Sequence, residues 1–592
     1  MNNPIPHAFV AEYPSIWAMA WFAIRAKALQ ARRILRDVPD RLARLAAGSP
    51  AEFPYVIAES VVPLDMGTDP RERPLLLGKY QNLRLACRQI NRRVLPAGET
   101  FSFWRQVGPP WKLRGFKAGR EVREGCIIPT TGGGLCQLSG SLLEAALQLD
   151  LEILERHRHT ALPAEIPYDE RRDATLFWNY VDLRFRAPQV LLIEAFLTVD
   201  SLVVRLRAQA PRQARIAVAN IDGRPMHLPP RQDIQGCFVC GKTDCARCRT
   251  PSAASVRHDT AKTTYLVDQY QPEFDAYIQE RHQACDTLLL PARIGRNRHG
   301  WTAERFAVTR SFLRFRLQQS FVLRRAVARG ATVAQAHFEL AGRLAGQYAS
   351  RLEYDAENLC VSQALLPHLW RLGVLGGRRF DVLMYREPLM RLEKNLEAAL
   401  QLYPGCETLT EFRSPPGFAE LEQEALSAAR TLITPHAQIA ALFDNAHRLD
   451  WAPVEQTARA PQADTARDII LFCGPTLARK GAHAVREAVR SMGFTLTVLG
   501  SNLEGKAFWK GLPVVHSTPE TLQWGRIHAV LQPALFEYWP RNLLRAHAAG
   551  AKLIVSPGCG IDENKEAGIH HVPFGAPDAL ITSLGPLLIK EE

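Results

Sequence analysis

The sequence predicts a mixed fold: an α+β domain followed by α/β structure in two lobes, with a cysteine-rich linker between them. Three observations predict it. Short strand patterns and helices mix irregularly between about residues 53 and 215. A segment rich in proline, glycine, cysteine and charge follows, which is typical of a linker. From Thr263 onward, short apolar strands alternate with longer helical patterns, which indicates parallel sheets covered by helices.

Length and composition indicate a globular protein of several domains. The chain has 592 residues, of which 47% are hydrophobic and 22% charged. Its net charge of +13 favours anionic partners such as phosphorylated donors, acidic glycans or lipid headgroups, with a solvated basic surface as the alternative. We expect no nucleic-acid partner. The 12 cysteines, most of them scattered singly, are typical of reduced cytosolic thiols rather than of a disulfide framework.

Residues 1–50 are predicted to be helical and basic. The early apolar run from Ile16 to Ile24 is too short to span a bilayer. Arginine and lysine alternate with apolar residues from Ser15 to Leu45. Such a helix can rest on an anionic membrane or pack on its own domain. We therefore expect a cytoplasmic protein, and leave open a peripheral contact with the inner membrane face.

The second predicted domain, residues 51–215, contains a cysteine with an unusual setting. The predicted helices are Gly78–Arg92 and Gln137–Leu149, and the predicted strands are Phe185–Phe196 and Leu202–Arg207. Three glycines, 132–134, precede Cys136 at the start of the second helix. Free N–H groups and the helix dipole at such a position favour the thiolate, which attacks carbon and binds metals.

A nucleophilic cysteine needs a base and a group that orients the base. A predicted strand from Leu151 ends in His157 and His159, and a second predicted strand begins at Asp173. Cys136, His159 and Asp173 are therefore the candidate catalytic residues, in a layout analogous to that of transglutaminase-like hydrolases. The alternatives are a buried structural cysteine beside a structural histidine–aspartate pair, and a ligand or metal site.

The segment from Asn82 to about Ala187 resembles the VanW family, named after an accessory gene of glycopeptide-resistance clusters. The ordered matches are Asn82-Leu-Arg-Leu-Ala, Ile90-Asn91, Val94-Leu-Pro96-Ala-Gly98-Glu99-Thr-Phe101-Ser-Phe103, Gly108, Gly115-Phe, Gly132-Gly-Gly-Leu-Cys136-Gln-Leu-Ser139, Glu155-Arg156, His159-Thr160, Asp173-Ala-Thr and Asp182-Leu-Arg-Phe. The family has no settled activity. Its pattern aligns with His159 rather than His157, which favours His159 as the base.

The linker, residues 216–260, carries a predicted metal site. Two CxxC pairs, Cys237 with Cys240 and Cys245 with Cys248, are separated by four residues. Four thiolates so close together can bind one tetrahedral zinc ion. An iron–sulfur cluster is the alternative occupant. The sequence favours a structural over a catalytic role for this metal, because a bound metal would let a segment with few core residues fold.

The last two predicted domains are an acceptor lobe, residues 261–460, and a nucleotide-sugar donor lobe, residues 461–592. A proline-containing stretch, Leu449–Asp468, is the predicted hinge. The predicted strands are Tyr265–Asp268, Thr287–Pro291, Leu359–Ser362, Phe380–Tyr385, Thr431–Thr434, Ile469–Cys473, Thr495–Gly500, Ala529–Gln532 and Lys552–Ser556. In the donor lobe, a strand, a turn at Gly474, and then Arg479 and Lys480 before a helix form a pattern that binds phosphate.

These blocks, with the stretch from Val530 to Ser556, resemble a retaining glycosyltransferase with two Rossmann-like lobes, the GT-B type. The resemblance implies that Arg479 and Lys480 hold the donor diphosphate. It implies that Glu537 contacts the donor sugar, and it includes Asn542 among the donor-binding residues. A second glutamate, expected eight positions after the first to bind the ribose, is replaced by Arg545. A cation cannot accept the hydrogen bonds of ribose hydroxyl groups.

Three functions follow from the sequence. The favoured one is a glycosyltransferase of the hexosyltransferase type that uses a nucleotide-sugar and an unknown glycan or lipid acceptor in cell-surface metabolism. The second is a thiol-dependent acyl or amide enzyme centred on Cys136, with a glycan-binding second half that does not turn over. The third is a scaffold held together by zinc at the inner membrane face.

Overall fold

The computed structural model describes residues 16–37, 42–64, 73–123, 126–159, 170–211, 262–291, 300–330, 332–411, 413–454, 467–563 and 567–588. The four cysteines of the predicted metal site, Cys237, Cys240, Cys245 and Cys248, lie outside these residues. The described residues form two compact units. The first holds the described residues before 212 together with Leu352–Glu357 and Leu372–Arg378, and the second holds the remainder.

The first unit is built on antiparallel sheets. Its helices are α1 (Ile16–Asp37), α2 (Arg73–Ile90), α3 (Phe103–Val107) and α4 (Leu135–Gln148). Its strands are β1 (Ala46–Ala47), β2 (Tyr55–Pro63), β3 (Arg93–Leu95), β4 (Thr100–Ser102), β5 (Ala118–Arg123), β6 (Cys126–Thr131), β7 (Glu152–Glu155), β8 (Arg184–Arg186), β9 (Leu191–Leu197) and β10 (Ser201–Ala208). A five-stranded sheet has the order β1-β3-β9-β10-β2, β4-β8-β7 form a second sheet, and β5 and β6 form a pair. Helices α2 and α4 bury apolar faces in one core with β9 and β10.

Three local predictions for the first unit are wrong. Residues 42–49 are not helical, because α1 ends at Asp37 and β1 pairs with β3. Phe185–Phe196 is not one strand: Pro188, which has no N–H group to donate, lies between β8 and β9. No strand begins at Asp173. A 3-10 helix, Glu170–Arg172, precedes an irregular stretch that reverses at Asn179, where φ is +65°.

Two short segments from the second half of the sequence belong to the first unit. The Arg84 side chain donates from Nε to the carbonyl oxygen of Gly376 at 2.7 Å. The backbone N–H of Gly377 donates to the carbonyl oxygen of Thr198, also at 2.7 Å. The chain therefore returns to the first unit after leaving it.

The second unit begins with a lobe built on a parallel sheet of seven strands. Its helices are α5 (Pro272–Arg281), α6 (Leu313–Ala328), α7 (Val333–Arg351), α8 (Leu366–Arg371), α9 (Leu389–Leu402), α10 (Phe418–Ala428) and α11 (Ala437–Ala440). Its strands are β11 (Thr263–Leu266), β12 (Thr287–Pro291), β13 (Val308–Phe312), β14 (Asn358–Ser362), β15 (Arg379–Leu383), β16 (Thr431–Thr434) and β17 (Ala446–Arg448). Their order is β13-β12-β11-β14-β15-β16-β17.

The other lobe repeats this topology with six parallel strands. Its helices are α12 (Ala482–Met492), α13 (Arg541–Ala548) and α14 (Pro577–Leu588). Its strands are β18 (Ile469–Cys473), β19 (Leu496–Leu499), β20 (Val514–Ser517), β21 (Ile527–Gln532), β22 (Lys552–Val555) and β23 (Ile569–His571), in the order β20-β19-β18-β21-β22-β23. Apolar residues on both faces of this sheet are buried. The predicted mixed fold with two parallel-sheet lobes is confirmed.

None of the helices in the described ranges combines the length and apolar character needed to cross a membrane.

Candidate functional sites

Cys136 lies in the first turn of α4, directly after the glycine turn. Gly134 precedes the helix in the left-handed conformation, with φ of 95°. A Cβ atom on Gly133 would lie 2.4 Å from the carbonyl oxygen of Gly119, so the turn packs against β5 too closely for a side chain. Because the first N–H groups of a helix have no partner within it, the thiol lies where negative charge is stabilised.

His159 and Asp173 are joined by several hydrogen bonds. Nδ1 of His159 lies 2.5 Å from Oδ1 of Asp173, and the backbone N–H of His159 donates to both carboxylate oxygens at 3.2 Å. The backbone N–H of Thr175 donates to the carbonyl oxygen of His157 at 2.8 Å, which keeps the two segments side by side. The Asp173 side chain is 2% exposed and that of His159 is 20% exposed. The imidazole is thus held by a buried carboxylate.

Cys136 completes this group, because its side chain is close enough to His159 to act on the pKa of the imidazole. Burial lowers the pKa of His159, but the hydrogen bonds and charges of Asp173 and Cys136 outweigh burial and raise the pKa to about 10. His159 is therefore a cation at neutral pH. The sulfur of Cys136 thus has a cationic neighbour, which is the setting in which catalytic cysteines are found. The structure brings the three predicted residues together in the arrangement that covalent thiol chemistry requires.

Close packing fixes α4 against the segment that carries Asp173. Ser139 is fully buried and donates from Oγ to the carbonyl oxygen of Ala174 at 2.6 Å. One residue later, a Cβ atom on Gly140 would lie 2.1 Å from the carbonyl oxygen of Arg172, so only glycine fits there. These two contacts set the position of Cys136 relative to the carboxylate.

A second site lies in the six-stranded lobe, where the strand order reverses between β18 and β21. Ligands of open parallel sheets bind at such a reversal, beyond the carboxyl ends of the strands. The chain leaves β18 through Gly474, with φ of 129°, and reaches α12 through Gly481, with φ of 84°. A Cβ atom on Gly481 would lie 2.3 Å from the carbonyl oxygen of Pro533, which follows β21. The two loops are therefore in direct contact.

Lys480 and Glu537 form a buried ion pair at this reversal. The two residues are only 8% and 9% exposed. Oε1 of Glu537 accepts from the backbone N–H of Trp539 at 3.3 Å, and Oε2 accepts from Nε2 of Gln532 at 3.5 Å. A Cβ atom on Gly474 would lie 3.7 Å from Nζ of Lys480. The structure thus brings together three of the predicted donor-binding residues.

The predicted donor pattern also includes Arg479, Asn542 and the position of Arg545. The Arg479 guanidinium lies 5.2 Å from the ring centroid of Phe536, and burial lowers its pKa. Asn542 lies in the first turn of α13 and is partly exposed. Arg545, one turn further, lies 5.1 Å from the ring centroid of Trp524. The position expected to hold a carboxylate therefore carries a cation packed on an indole.

Polar contacts connect the two lobes of the second unit. Glu273, at the start of α5, forms an ion pair with Arg541 of α13. Arg448 pairs with Asp562 at 2.7 Å. Nε2 of His436 lies 3.2 Å from the carbonyl oxygen of Gly558, and burial lowers the pKa of His436 to about 4. These residues have no recognisable signal in the sequence, because the partners in each contact lie more than 100 positions apart.

Part of the first unit matches a known family. Residues 78–207 match the family model described as VanW like protein. This segment is a VanW-like domain. It is 33% identical over 147 residues to the vancomycin B-type resistance protein VanW of Enterococcus faecalis, covering 24% of this chain and 54% of that protein. It is 31% identical over 153 residues to the uncharacterized protein YoaR of Bacillus subtilis, covering 26% of this chain and 49% of that protein. The chain thus spans about half the length of these relatives.

Several solved structures are similar to more than half of the chain. Sucrose-phosphate synthase from Thermosynechococcus elongatus is 11% identical with a TM-score of 0.36, covering 56% of this chain and 90% of that one. Anabaena HepE in complex with UDP and glucose is 12% identical with a TM-score of 0.33, with the same coverage. WaaG, a glycosyltransferase involved in lipopolysaccharide biosynthesis, is 12% identical with a TM-score of 0.33, covering 55% and 90%.

Asn82 of the VanW-like domain positions the glycine turn that precedes Cys136. It is fully buried, and its Nδ2 donates to the carbonyl oxygens of Gly133 at 2.9 Å and Lys117 at 3.0 Å. Its Oδ1 accepts from the backbone N–H of Lys117 at 2.8 Å. The sequence showed Asn82 as part of the family pattern but gave no sign of this role, because the bonds span distant segments.

We expect Asn82→Ala to lower the free energy of unfolding by about 3 kcal/mol, because buried backbone groups would lose their partners. Urea unfolding of the full chain measures this. The control is Arg88→Ala, since Arg88 lies on the same helix but is exposed. A loss no larger than that of the control would contradict the role of Asn82.

The raised pKa of His159 makes the stability of the VanW-like domain depend on pH. In the unfolded chain the pKa of His159 is near its ordinary value of 6.5, and in the folded protein it is about 10. The contacts of His159 therefore contribute fully below pH 6.5, and this contribution disappears as the pH rises through about 10. We expect the stability difference between the wild-type protein and His159→Gln to shrink over that range. If unfolding experiments show the same stability difference across this pH range, the raised pKa of His159 is contradicted.

Two further carboxylates of the second unit, Glu504 and Asp268, were not predicted from the sequence. Glu504 accepts hydrogen bonds from the backbone N–H of Ala478 at 2.6 Å and from Oγ1 of Thr408 at 2.5 Å, which fixes the loop before Lys480. Asp268 follows β11, where the strand order of the seven-stranded sheet reverses, and its N–H donates to Oγ of Ser362 at 3.2 Å. Burial raises the pKa of Asp268. Each is a single acidic residue in a loop pattern, without a sequence signal.

Proposed function

We propose that the second unit transfers a sugar from a nucleoside-diphosphate donor, with its donor site at Lys480 and Glu537. The observation that carries this proposal is their buried ion pair at the point where the strand order of a parallel sheet reverses. A buried lysine beside a glycine turn suits a diphosphate, because the turn leaves the backbone open and the ammonium supplies the charge.

The donor diphosphate would replace Glu537 as the ion-pair partner of Lys480. Without a ligand, Glu537 is the partner of Lys480. A diphosphate brings more negative charge than one carboxylate and would replace it. The released Glu537 carboxylate can then accept hydrogen bonds from sugar hydroxyl groups, with its orientation kept by the backbone N–H of Trp539. The ion pair thus prepares both groups for the donor.

The seven-stranded lobe supplies a candidate group for the acceptor. Asp268 lies at the corresponding reversal of its sheet, and its raised pKa suits a carboxylate that takes a proton from an acceptor hydroxyl group. In the donor lobe, Arg545 cannot replace a glutamate on the ribose, so the nucleoside contacts differ from those expected of the glycosyltransferase pattern.

Thermal unfolding of the full chain with a panel of UDP-, GDP- and ADP-sugars tests this proposal. A donor present at about a hundred times its Kd adds about 2.7 kcal/mol to the free energy of unfolding and raises the Tm. If no sugar nucleotide raises the Tm, the proposal fails.

The VanW-like domain has a second candidate function, favoured by the hydrogen-bonded group of Cys136, His159 and Asp173. In this function the Cys136 thiolate attacks the carbonyl carbon of an amide or ester and forms a thioester. The His159 imidazolium gives its proton to the leaving group, and Asp173 keeps the ring oriented. Water or a second acceptor then releases the acyl group and regenerates the thiol. The predicted zinc site and the inner-membrane contact remain predictions.

A further inference from the structure

The first unit contains a cavity of about 620 Å³ whose lining includes no residue of either candidate site. The cavity is bordered by the end of α1, by Leu42 and Arg44, by the start of α3 and by the turn around Asn179. Its charged and aromatic lining consists mainly of Arg33, Arg44, Arg105, Arg184, Trp104 and Trp178. Asp37 and Asp182 are the acidic residues of the lining, so the lining carries net positive charge.

Two arginines of the lining are buried and held by ion pairs. Arg33 and Arg184 are each only 7% exposed. Nη2 of Arg184 lies 2.5 Å from Oδ2 of Asp37, and Nε of Arg33 lies 2.9 Å from Oδ1 of the same carboxylate. Arg33 also pairs with Glu155 at 2.6 Å, behind the lining. The acidic groups are thus paired with buried guanidinium groups and held in place.

Arg44 and Arg105 are different, because both are exposed. Within the described part of the chain, neither guanidinium has a carboxylate at ion-pair distance. Even with Glu155 counted, the four arginines leave an excess of one positive charge at the cavity. Guanidinium groups without a partner at the edge of a cavity suit a phosphate, which they bind through paired N–H donors.

The walls of the cavity include an aromatic surface beside a turn at Asn179. Trp104 and Trp178 meet edge to face, with ring centroids 5.2 Å apart. Asn179 has φ of +65°, in the left-handed region that asparagine tolerates in turns. Indole rings beside guanidinium groups suit a ligand that joins an anionic head to an apolar or ring-shaped group.

Helix α1 lines this cavity and also carries exposed apolar residues of the kind that contact lipid. The helix contributes Arg33 and Asp37 to the lining. On its outer side, Trp21, Ile24 and Leu35 are 67%, 61% and 74% exposed. Exposed apolar residues on a basic helix are typical of helices that lie at membrane interfaces.

We propose that this cavity binds the phosphate group of an anionic ligand, with Arg44 and Arg105 as its contacts. A phospholipid headgroup and a soluble phosphate share this chemistry. The site is independent of the proposed sugar transfer, because it lies in the other unit.

Two probes test the proposal on the full chain. Inorganic pyrophosphate is titrated by calorimetry into a Lys480→Ala background, which removes the candidate donor site. Vesicles of phosphatidylcholine with or without phosphatidic acid are used for co-sedimentation. The variants are Arg44→Gln combined with Arg105→Gln, and Arg88→Gln as control, an exposed arginine of the same unit outside the lining.

We expect the double substitution to weaken binding by about tenfold for each arginine removed, because each loses a charge-assisted hydrogen bond, while Arg88→Gln changes nothing. Loss of pyrophosphate binding with unchanged vesicle binding identifies a soluble ligand. Loss of binding to phosphatidic acid vesicles identifies a lipid headgroup. Absence of binding to both probes, or binding that the double substitution does not weaken, overturns the proposal. The thermal unfolding of the variants shows whether they remain folded.

Discussion

Replacing Lys480 by alanine is expected to weaken binding of the donor identified in the thermal screen by about a hundredfold. The substitution removes the cation of the donor site and leaves the Glu537 carboxylate buried without its partner. Loss of the charge-assisted contact between the lysine and the donor diphosphate costs about 3 kcal/mol, which corresponds to that factor. Calorimetric titration of the full chain measures the affinity.

The matched control for this experiment is Lys510→Ala, because Lys510 is an exposed lysine of the same lobe. Cys136→Ala serves as a second control and should bind the donor like the wild-type protein. Equal affinities of Lys480→Ala and Lys510→Ala would contradict the placement of the donor at Lys480.

The second large effect is expected at Cys136. We expect iodoacetamide to alkylate this thiol about tenfold faster at neutral pH than an ordinary thiol, because it lies at a helix start beside the His159 imidazolium. Peptide mass spectrometry resolves the rate at each cysteine, and Cys285, which is exposed, is the reference. In His159→Gln the rate at Cys136 should fall to that of Cys285 or below.

His157→Gln is the matched control for His159→Gln. His157 lies two residues earlier, is 48% exposed and contacts Glu155 at 3.2 Å. Its replacement should leave the alkylation of Cys136 unchanged. A Cys136 thiol that reacts no faster than Cys285, or that reacts equally in both histidine variants, would mean that the three residues form a structural group.

The sheets of the second unit could be predicted because their strands are short apolar runs between helical patterns. The predicted strands Thr287–Pro291, Thr431–Thr434 and Ile469–Cys473 have the observed bounds. The order of the strands could not be predicted in this way, since no local sequence pattern indicates that β18 lies between β19 and β21. The sequence identified Lys480 and Glu537 through family resemblance, whereas their direct ion pair depends on how two loops meet.

The candidate thiol site was found from the sequence through its residue types and their context, although one of its elements was predicted wrongly. Asp173 does not begin a strand; it is held by its bonds to His159 and by the packing of Ser139 on Ala174. Asn82 could not be recognised as a positioning residue because its partners, Lys117 and Gly133, lie 35 and 51 positions away. Such long-range hydrogen bonds leave no periodic pattern in a sequence.

The cavity beside α1 could also not be predicted from the sequence. Arg33, Arg105 and Arg184 lie in three different segments, and a chain with 73 lysine and arginine residues gives no reason to choose them. Only the fold brings them to one cavity and separates the buried, paired guanidinium groups from the exposed ones.

The central claim is that the second unit transfers sugar from a nucleotide donor, and it is tested most directly by consumption of that donor. The measurement is release of nucleoside diphosphate from the sugar nucleotide selected in the thermal screen, with the full chain as catalyst. We predict steady release by the wild-type protein and by Cys136→Ala, and a rate at background for Lys480→Ala. A donor that binds but is not consumed, or release that persists in Lys480→Ala, would contradict the claim.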